Sequence, residues 1–324
     1  MNIVFLDAKT VGNVPNLSDL NSLGEVTYYQ TTSPEETEAR IRDAEVVITN
    51  KVVIDRRLIE HARKLKLICV AATGMNNIDR EAAAEAGIQV KNVAGYASRS
   101  VAQCTFALIF HLLHHISYYD QFVKSGLYSK SDIFTNLDRP FWELNGKQFG
   151  IIGLGNIGSE VAAIATAFGA KVAYYSTSGR NSDQPYHRMS LDELLSKSDI
   201  VSIHAPLNEN TAGLIGYEQL ETMKREAILV NTGRGGIVNE NGLARAIDEE
   251  RIAGAALDVF ENEPIDRDNP LLKVKNKERL VLVPHITWSS IEARMELMEG
   301  VKHNIKEFIN GDHICPKRLK KLPK

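Results

Sequence analysis

Apolar positions along this chain fall into two rhythms. Short unbroken runs such as Ile3, Val4, Phe5 and Leu6 read as strands buried on both faces, the habit of a parallel sheet. Between them lie stretches whose apolar residues recur three and four apart, the spacing of one helix face. Over residues 1–98 the pattern predicts strands at 2–6, 45–49, 66–71 and 88–93, with helices at 34–43, 55–64 and 79–86. Ser33 and Glu36 form a capping-box pair, with Pro34 at the first helical position. A long helix is expected over 99–124, followed by a loop rich in polar and aromatic residues. The alternation then restarts, with strands predicted at 147–152, 171–175, 199–203, 227–231, 253–258 and 279–283. Repeated β-α-β-α order of this kind builds doubly wound, mostly parallel sheets, and here it predicts two of them in an α/β chain.

The last predicted helix, at about 289–309, has an apolar stripe at Ile291, Met295, Met298, Val301, Ile305 and Phe308 and no strand after it. Such a helix either covers the second sheet or crosses back to complete the first. The pattern leaves both open.

Length and charge narrow the function. The 324 residues are enough for about two domains. A formal net charge of −3 gives no reason to expect a nucleic acid or a membrane surface as partner. The three cysteines, Cys69, Cys104 and Cys315, are widely spaced and form no zinc pattern, which fits a reducing compartment. The first residues lack the basic and longer apolar regions of a signal peptide, and a cytoplasmic protein is expected. The longest apolar segment, 101–116, carries Gln103, His111, His114 and His115 and is too short to span a bilayer. Those three histidines, spaced i, i+3 and i+4, would share a helix face. Without an acidic or cysteine partner nearby, packing is expected there rather than a metal. The basic 315–324 segment reads as a solvated tail.

Chemistry enters with residues 153–158, Gly-Leu-Gly-Asn-Ile-Gly, between a predicted buried strand and a predicted helix. In that setting Gly153 permits the tight turn and Gly155 lets backbone approach a pyrophosphate. Gly158 allows close helix–strand packing, and the helix N-terminus offers free N–H groups. The domain carrying this fingerprint is expected to bind a dinucleotide in the Rossmann manner. Ligands of such sheets sit beyond the strands' carboxyl ends. Three successive predicted strands end there in Thr232, Gly233 and Arg234, in Asp258 followed by Glu263, and in His285. Arg234 can pair bidentately with a 2-oxo acid's carboxylate and polarise its ketone. His285 can donate a proton to the carbonyl oxygen as hydride arrives. Glu263 beside the imidazole would favour its charged form.

The motifs GLGNIG (153–158), NTGRGG (231–236), LDVFENEP (257–264) and PHITWSS (284–290), in this order and spacing, resemble the D-isomer-specific 2-hydroxyacid dehydrogenase family. The resemblance implies that Arg234, Glu263 and His285 are the catalytic trio. It further implies that Asp258 holds the nicotinamide amide, and that Asn156 and Ile157 meet the pyrophosphate. Thr232, Gly233 and the loop of His204, Ala205 and Pro206 would line the cofactor. It also implies a Rossmann domain (99–285) inserted in a discontinuous, flavodoxin-like substrate domain (1–98 plus 286–324), and a homodimer. Residues 3–8, 72–79 and 100–103, with Trp288, Ser289 and Ser290, are similar to the glycerate dehydrogenase, or hydroxypyruvate reductase, branch. In that branch Gly74, Met75 and Asn76 would offer backbone N–H groups to the substrate carboxylate, with Lys51 at the same cleft. The substrate is then a small 2-oxo or 2-hydroxy acid, with reduction of hydroxypyruvate or glyoxylate to D-glycerate or glycolate.

One position departs from the NAD pattern. About 20 residues past the fingerprint, where an acid would bind the adenine ribose, stands Ser176, followed by Thr177 and then Arg180. No carboxylate there repels a 2′-phosphate, and Arg180 can receive one, so NAD(P) is expected with NADP(H) favoured or both used. The alternatives are a 3-phosphoglycerate or other D-2-hydroxyacid dehydrogenase and, in another class, an NAD(H)-sensing corepressor.

Overall fold

A computed structural model describes residues 1–180 and 183–311; Cys315 and the basic tail lie outside the described residues. The chain divides into two compact units, Met1–Ala97 with Ser289–Lys324, and Ser98–Trp288. Each has its own parallel sheet.

In the first unit the strands β1 (Asn2–Phe5), β2 (Glu25–Tyr28), β3 (Val46–Thr49), β4 (Leu67–Val70) and β5 (Gln89–Asn92) stand in the order β2-β1-β3-β4-β5. That is the flavodoxin-like order. β3 and β4 are buried along their whole length, as expected of central strands. β2 was not apparent in the pattern. It is a four-residue edge strand, half exposed, so it carries little hydrophobic signal. The helices are α1 (Pro34–Ile41), α2 (Arg56–His61) and α3 (Arg80–Glu85). α1 opens with the expected capping box, in which Ser33 N donates to Glu36 Oε2 at 3.0 Å.

The C-terminal helix Ile291–Ile309 belongs to this unit, which decides between the two placements left open. It packs on β4 and β5 through Ala293, Leu297, Met298, Val301 and Ile305. Asn304 Nδ2 donates to Asn92 O at 3.0 Å, and Lys91 pairs with Glu307 at 2.9 Å. Ile291, expected in the apolar stripe, is 57% exposed in the first turn, and Leu297 takes a core position instead.

The second unit contains α4 (Ser98–Leu113), α5 (Ile116–Lys124), β6 (Gln148–Ile152), α6 (Asn156–Ala167), β7 (Lys171–Tyr175), β8 (His187–Arg188) and α7 (Leu191–Lys197). It continues with β9 (Ile200–Ile203), α8 (Tyr217–Thr222), β10 (Ile228–Asn231), α9 (Glu240–Asp248), β11 (Gly254–Leu257) and β12 (Leu280–Leu282). The order is β12-β11-β10-β9-β6-β7-β8, all parallel, and the strand order reverses between β6 and β9. The six expected strands become seven. The third Rossmann position is filled by β8, two exposed residues with no apolar run to betray them, and β12 extends the other edge.

Two cores cover the sheet's faces. Phe106, Ile109, Phe149, Ile151 and Val161 fill one, and Leu194, Leu220, Leu229, Leu243 and Ile247 the other. Each such side chain stabilises by about 1.5–3 kcal/mol when buried. The single helix expected over 99–124 is broken. His115 adopts φ 49°, in the left-handed region, and caps α5. His111, His114 and His115 therefore do not share one helix face. His114 instead stacks on Phe110 and meets Phe141 edge-on. Among the described residues no group of three or more His, Cys, Asp or Glu could hold a metal, and no helix is long and apolar enough to cross a membrane.

Candidate active site

The glycine turn forms where β6 hands over to α6, at the point where the strand order reverses. Gly153 sits at φ 90°, and a Cβ there would lie 2.9 Å from Ala205 backbone. The turn and the loop after β9 thus touch, bringing together Gly153, His204, Ala205 and Pro206. A Cβ on Gly158 would meet Gly153 O at 2.4 Å, so only glycine lets the first turn of α6 close against the strand end. Gly155 differs, because a Cβ there would meet nothing within 4 Å. It caps α6 without a side chain, leaving the first N–H groups, at Asn156 and Ile157, pointing from the helix end. An open backbone face at a helix N-terminus fits a pyrophosphate.

Ser176 is buried immediately after β7, Thr177 is half-buried, and Arg180 is exposed with its backbone N–H on Ser178 Oγ. Deeper in, His204 is bracketed by hydroxyls. Ser202 Oγ lies 2.8 Å from Nε2 and Thr232 Oγ1 lies 3.1 Å from Nδ1, with Thr105 of α4 3.3 Å beyond Thr232. Desolvation in this setting pushes the His204 imidazole down to about 3, so it is neutral. Gly233 leaves no space for a side chain, since a Cβ would meet Ala205 O at 2.9 Å.

The three strand ends expected to carry chemistry are adjacent in the sheet. After β10, Asn231 shapes the turn, with Oδ1 accepting from Gly233 N at 3.0 Å and Nδ2 donating to Arg234 O at 3.0 Å. Arg234 is half-buried and donates to Gly233 O at 2.7 Å, and no carboxylate pairs with its guanidinium among the described residues. After β11, Asp258 is 1% exposed. Its carboxylate accepts from Ile286 N at 2.6 Å, from Thr287 N, and from the Thr287 hydroxyl. Burial raises its pKa, opposed by those hydrogen bonds and by the charge of His285.

That carboxylate fixes the chain beyond β12. His285 N donates to Asp258 O at 2.9 Å, and His285 takes φ 52°, turning its ring out of the strand direction. Its Nδ1 lies 2.7 Å from Glu263 Oε2, while Glu263 Oε1 accepts from Phe260 N at 3.2 Å. Because Ile286 and Thr287 are held by Asp258, and Ser100 Oγ donates to Thr287 O at 2.6 Å, the return to the first unit falls after Trp288, three residues later than expected.

In the first unit, Lys51 and residues 74–76 come after the neighbouring strands β3 and β4. Asp7 shapes the first loop, with Oδ2 accepting from Lys51 N at 2.7 Å and Oδ1 from Asn50 N at 2.9 Å. The loops are tied by Asn77 Nδ2 donating to Val52 O at 2.9 Å and by a bridge of Ile54 to Ile78. Among the described residues the N–H groups of Gly74, Met75 and Asn76 take no protein acceptor, and the Lys51 side chain is exposed without an ion pair. Asp7, Asn231 and Ser202, the hydroxyl on His204 Nε2, were missed from sequence. A polar residue closing an otherwise apolar strand, as in Ile228, Leu229, Val230 and Asn231, is the signal that would have found Asn231.

Residues 106–287 match the family described as D-isomer specific 2-hydroxyacid dehydrogenase, NAD binding domain. Across nearly the whole length, the chain is similar to a hydroxypyruvate reductase of Blautia hydrogenotrophica, 38% identical over 97% of this chain and 98% of the relative. It is also similar to a glycerate dehydrogenase of Methylorubrum extorquens, 35% identical over 95% and 96%. Among solved structures, an acyclic imino acid reductase (Bsp5) in complex with NADPH and D-Arg superposes with a TM-score of 0.85, at 30% identity over 96% of this chain and 98% of that one.

Proposed function

Because the chain belongs to the D-isomer-specific 2-hydroxyacid dehydrogenase family, we propose that it reduces hydroxypyruvate or glyoxylate to D-glycerate or glycolate with NAD(P)H. The observation that carries this reading is the 2.7 Å contact of His285 Nδ1 with Glu263, on strand ends that adjoin the one bearing Arg234, whose guanidinium pairs with no carboxylate among the described residues. Nδ1 donates to Glu263, so Nε2 is the ring nitrogen left to give its proton to the substrate's carbonyl oxygen. Arg234 pairs with the substrate carboxylate and draws charge from the adjacent ketone. The nicotinamide cofactor supplies the hydride. Gly155, Asn156 and Ile157 hold its pyrophosphate, and Gly153 and Gly158 keep that cradle closed behind. Thr232, Gly233 and residues 204–206 form the adjoining wall. Asp258 contributes to the nicotinamide side of the site through the backbone it anchors. In the first unit, the N–H groups of residues 74–76 and the Lys51 ammonium can bind an anion such as a carboxylate.

Ser176, Thr177 and Arg180 favour NADPH, because no acid stands where a 2′-phosphate would lie. Rates with hydroxypyruvate, glyoxylate and pyruvate, each against NADH and NADPH, test the assignment. Hydroxypyruvate and glyoxylate should lead, and S176D should lower kcat/KM with NADPH by about 10–100-fold while sparing NADH, since a like charge repels the phosphate. Negligible turnover with every acid despite tight cofactor binding would instead support a sensor. The exposed apolar side chains Ile133, Phe134, Leu137 and Phe141 favour a homodimer, checked by a sedimentation mass of twice 36.0 kDa. A monomer at micromolar concentration would remove that part.

A further inference from the structure

The loops bearing Arg234 and Glu263 are packed backbone to backbone. A Cβ on Gly235 would lie 1.8 Å from Phe260 O and 2.8 Å from Glu261 N, so nothing larger than a hydrogen separates the two segments. Contact this close needs something to hold it. The first residue of α9, Glu240, is 5% exposed and reaches across from the Arg234 side. Its Oε1 accepts from Glu261 N at 2.8 Å, and its Oε2 accepts from Asn269 Nδ2 at 2.5 Å. The reciprocal bond runs from Glu240 N to Glu261 Oε1 at 3.4 Å. Asn269, 6% exposed, is itself fixed by accepting from Leu271 N at 3.0 Å.

We propose that Glu240 is a positioning residue: its buried carboxylate clasps the segment from Phe260 to Glu263 onto the Arg234 loop and so sets Glu263 against His285. The proposal rests on the catalytic reading given above. Glu240 itself is placed to touch neither substrate nor cofactor. Its effect passes through Glu261 N, then Phe260, whose N–H donates to Glu263 Oε1 at 3.2 Å, and then the 2.7 Å bond to His285. The carboxylate form matters because both oxygens accept. A glutamine of nearly the same volume would turn an NH2 toward either Glu261 N–H or the Asn269 amide, setting donor against donor. Released there, the Glu263 segment drifts, and a misplacement of about 1 Å near reacting groups costs on the order of 100-fold in rate.

The test is a double-mutant cycle on the full chain with hydroxypyruvate, pairing E240Q with E263Q, with cofactor Kd and Tm measured on each variant. E240Q alone should lower kcat/KM by about 10–100-fold, chiefly in kcat, with cofactor Kd within about twofold of wild type. In the E263Q background the same change should cost less than about threefold more, because its route to the chemistry is already cut. An equal loss in both backgrounds, or no loss in either, overturns the proposal and marks Glu240 as a fold-stabilising residue only. Wild-type activity of E263Q alone overturns the catalytic reading first, and the clasp's role with it. If E240Q does not fold, N269A, which removes the Oε2 bond and the acceptor of Leu271 N but leaves Oε1 on Glu261 N, goes through the same cycle with the same outcomes expected at smaller size.

Discussion

The two sheets shape their carboxyl ends in the same way but leave different groups facing outward. In the first unit the buried carboxylate of Asp7 gathers the N–H groups of Asn50 and Lys51 and so fixes the loop after β3. In the second, Asp258 gathers Ile286 and Thr287, and Glu240 gathers Glu261 and Asn269. An acid tying down the next loop is common to both. What the loops carry is not. The first unit offers backbone N–H groups at residues 74–76 and one exposed lysine. The second offers an arginine that has no carboxylate partner among the described residues, and a histidine bonded to a glutamate. A histidine bonded to a carboxylate is the commoner proton-transfer pair, so under the proposed function anion recognition falls to the first unit and proton transfer to the second.

The largest expected effect breaks or confirms that division directly. R234A and H285A should each lower kcat/KM for hydroxypyruvate by about 10²–10⁴-fold with the cofactor still bound, the range for a positioned acid–base group. K51A should raise KM only about three- to tenfold and leave kcat near wild type, as removal of uniform binding does. Steady-state kinetics on the three variants decide it. A K51A loss in kcat as large as that of H285A would show that the first unit also does chemistry.

A second contrast concerns packing. G235A forces a methyl into Phe260 O, with backbone on both sides and no flexible side chain to give way. It should destabilise by about 2–3 kcal/mol, lowering Tm by roughly 5–10 °C. In the first unit, G87A meets nothing within 4 Å and carries only the strain of φ 72°. That costs about 1 kcal/mol. Calorimetry on both variants separates steric closeness from backbone strain, and equal shifts would mean the Gly235 contact relaxes freely.

How much the chain's pattern discloses depends on the same physics. The central strands were legible because both their faces are buried, and the glycine turn because its strand and helix flank it. Arg234, Glu263 and His285 became candidates as reactive side chains just past the carboxyl end of each strand, and those three strand ends are adjacent in the sheet. β2 and β8 were not legible, being a half-exposed edge and a two-residue edge. The break in the long helix was hidden because His114 and His115 fit a helical spacing, and only the left-handed φ at His115 ends it. The clasp residues were hidden for another reason. Asp7 and Glu240 look like ordinary polar loop or helix-start residues, and the contacts that bury them exist only once distant loops meet.

The smallest expected effect separates the units by pH. Unfolded, His204 takes up a proton near its ordinary 6.5; folded, it stays neutral until about 3. Its folded pKa is therefore depressed, and the unfolded chain binds more protons throughout that interval. Stability is full above about 6.5 and falls as pH drops toward 3. His115, also lowered by burial, acts in the same direction, and both histidines lie in the second unit. H204N keeps a polar side chain between Ser202 and Thr232 but removes the titration. The slope of Tm against pH between 6.5 and 4 should be shallower in H204N than in wild type, while the two curves run parallel above pH 7. Carboxylates common to both proteins cancel in that difference. Indistinguishable slopes would mean that His204 takes up its proton in the folded protein as readily as in the unfolded one, and the neutral hydroxyl-bracketed imidazole would have to be abandoned.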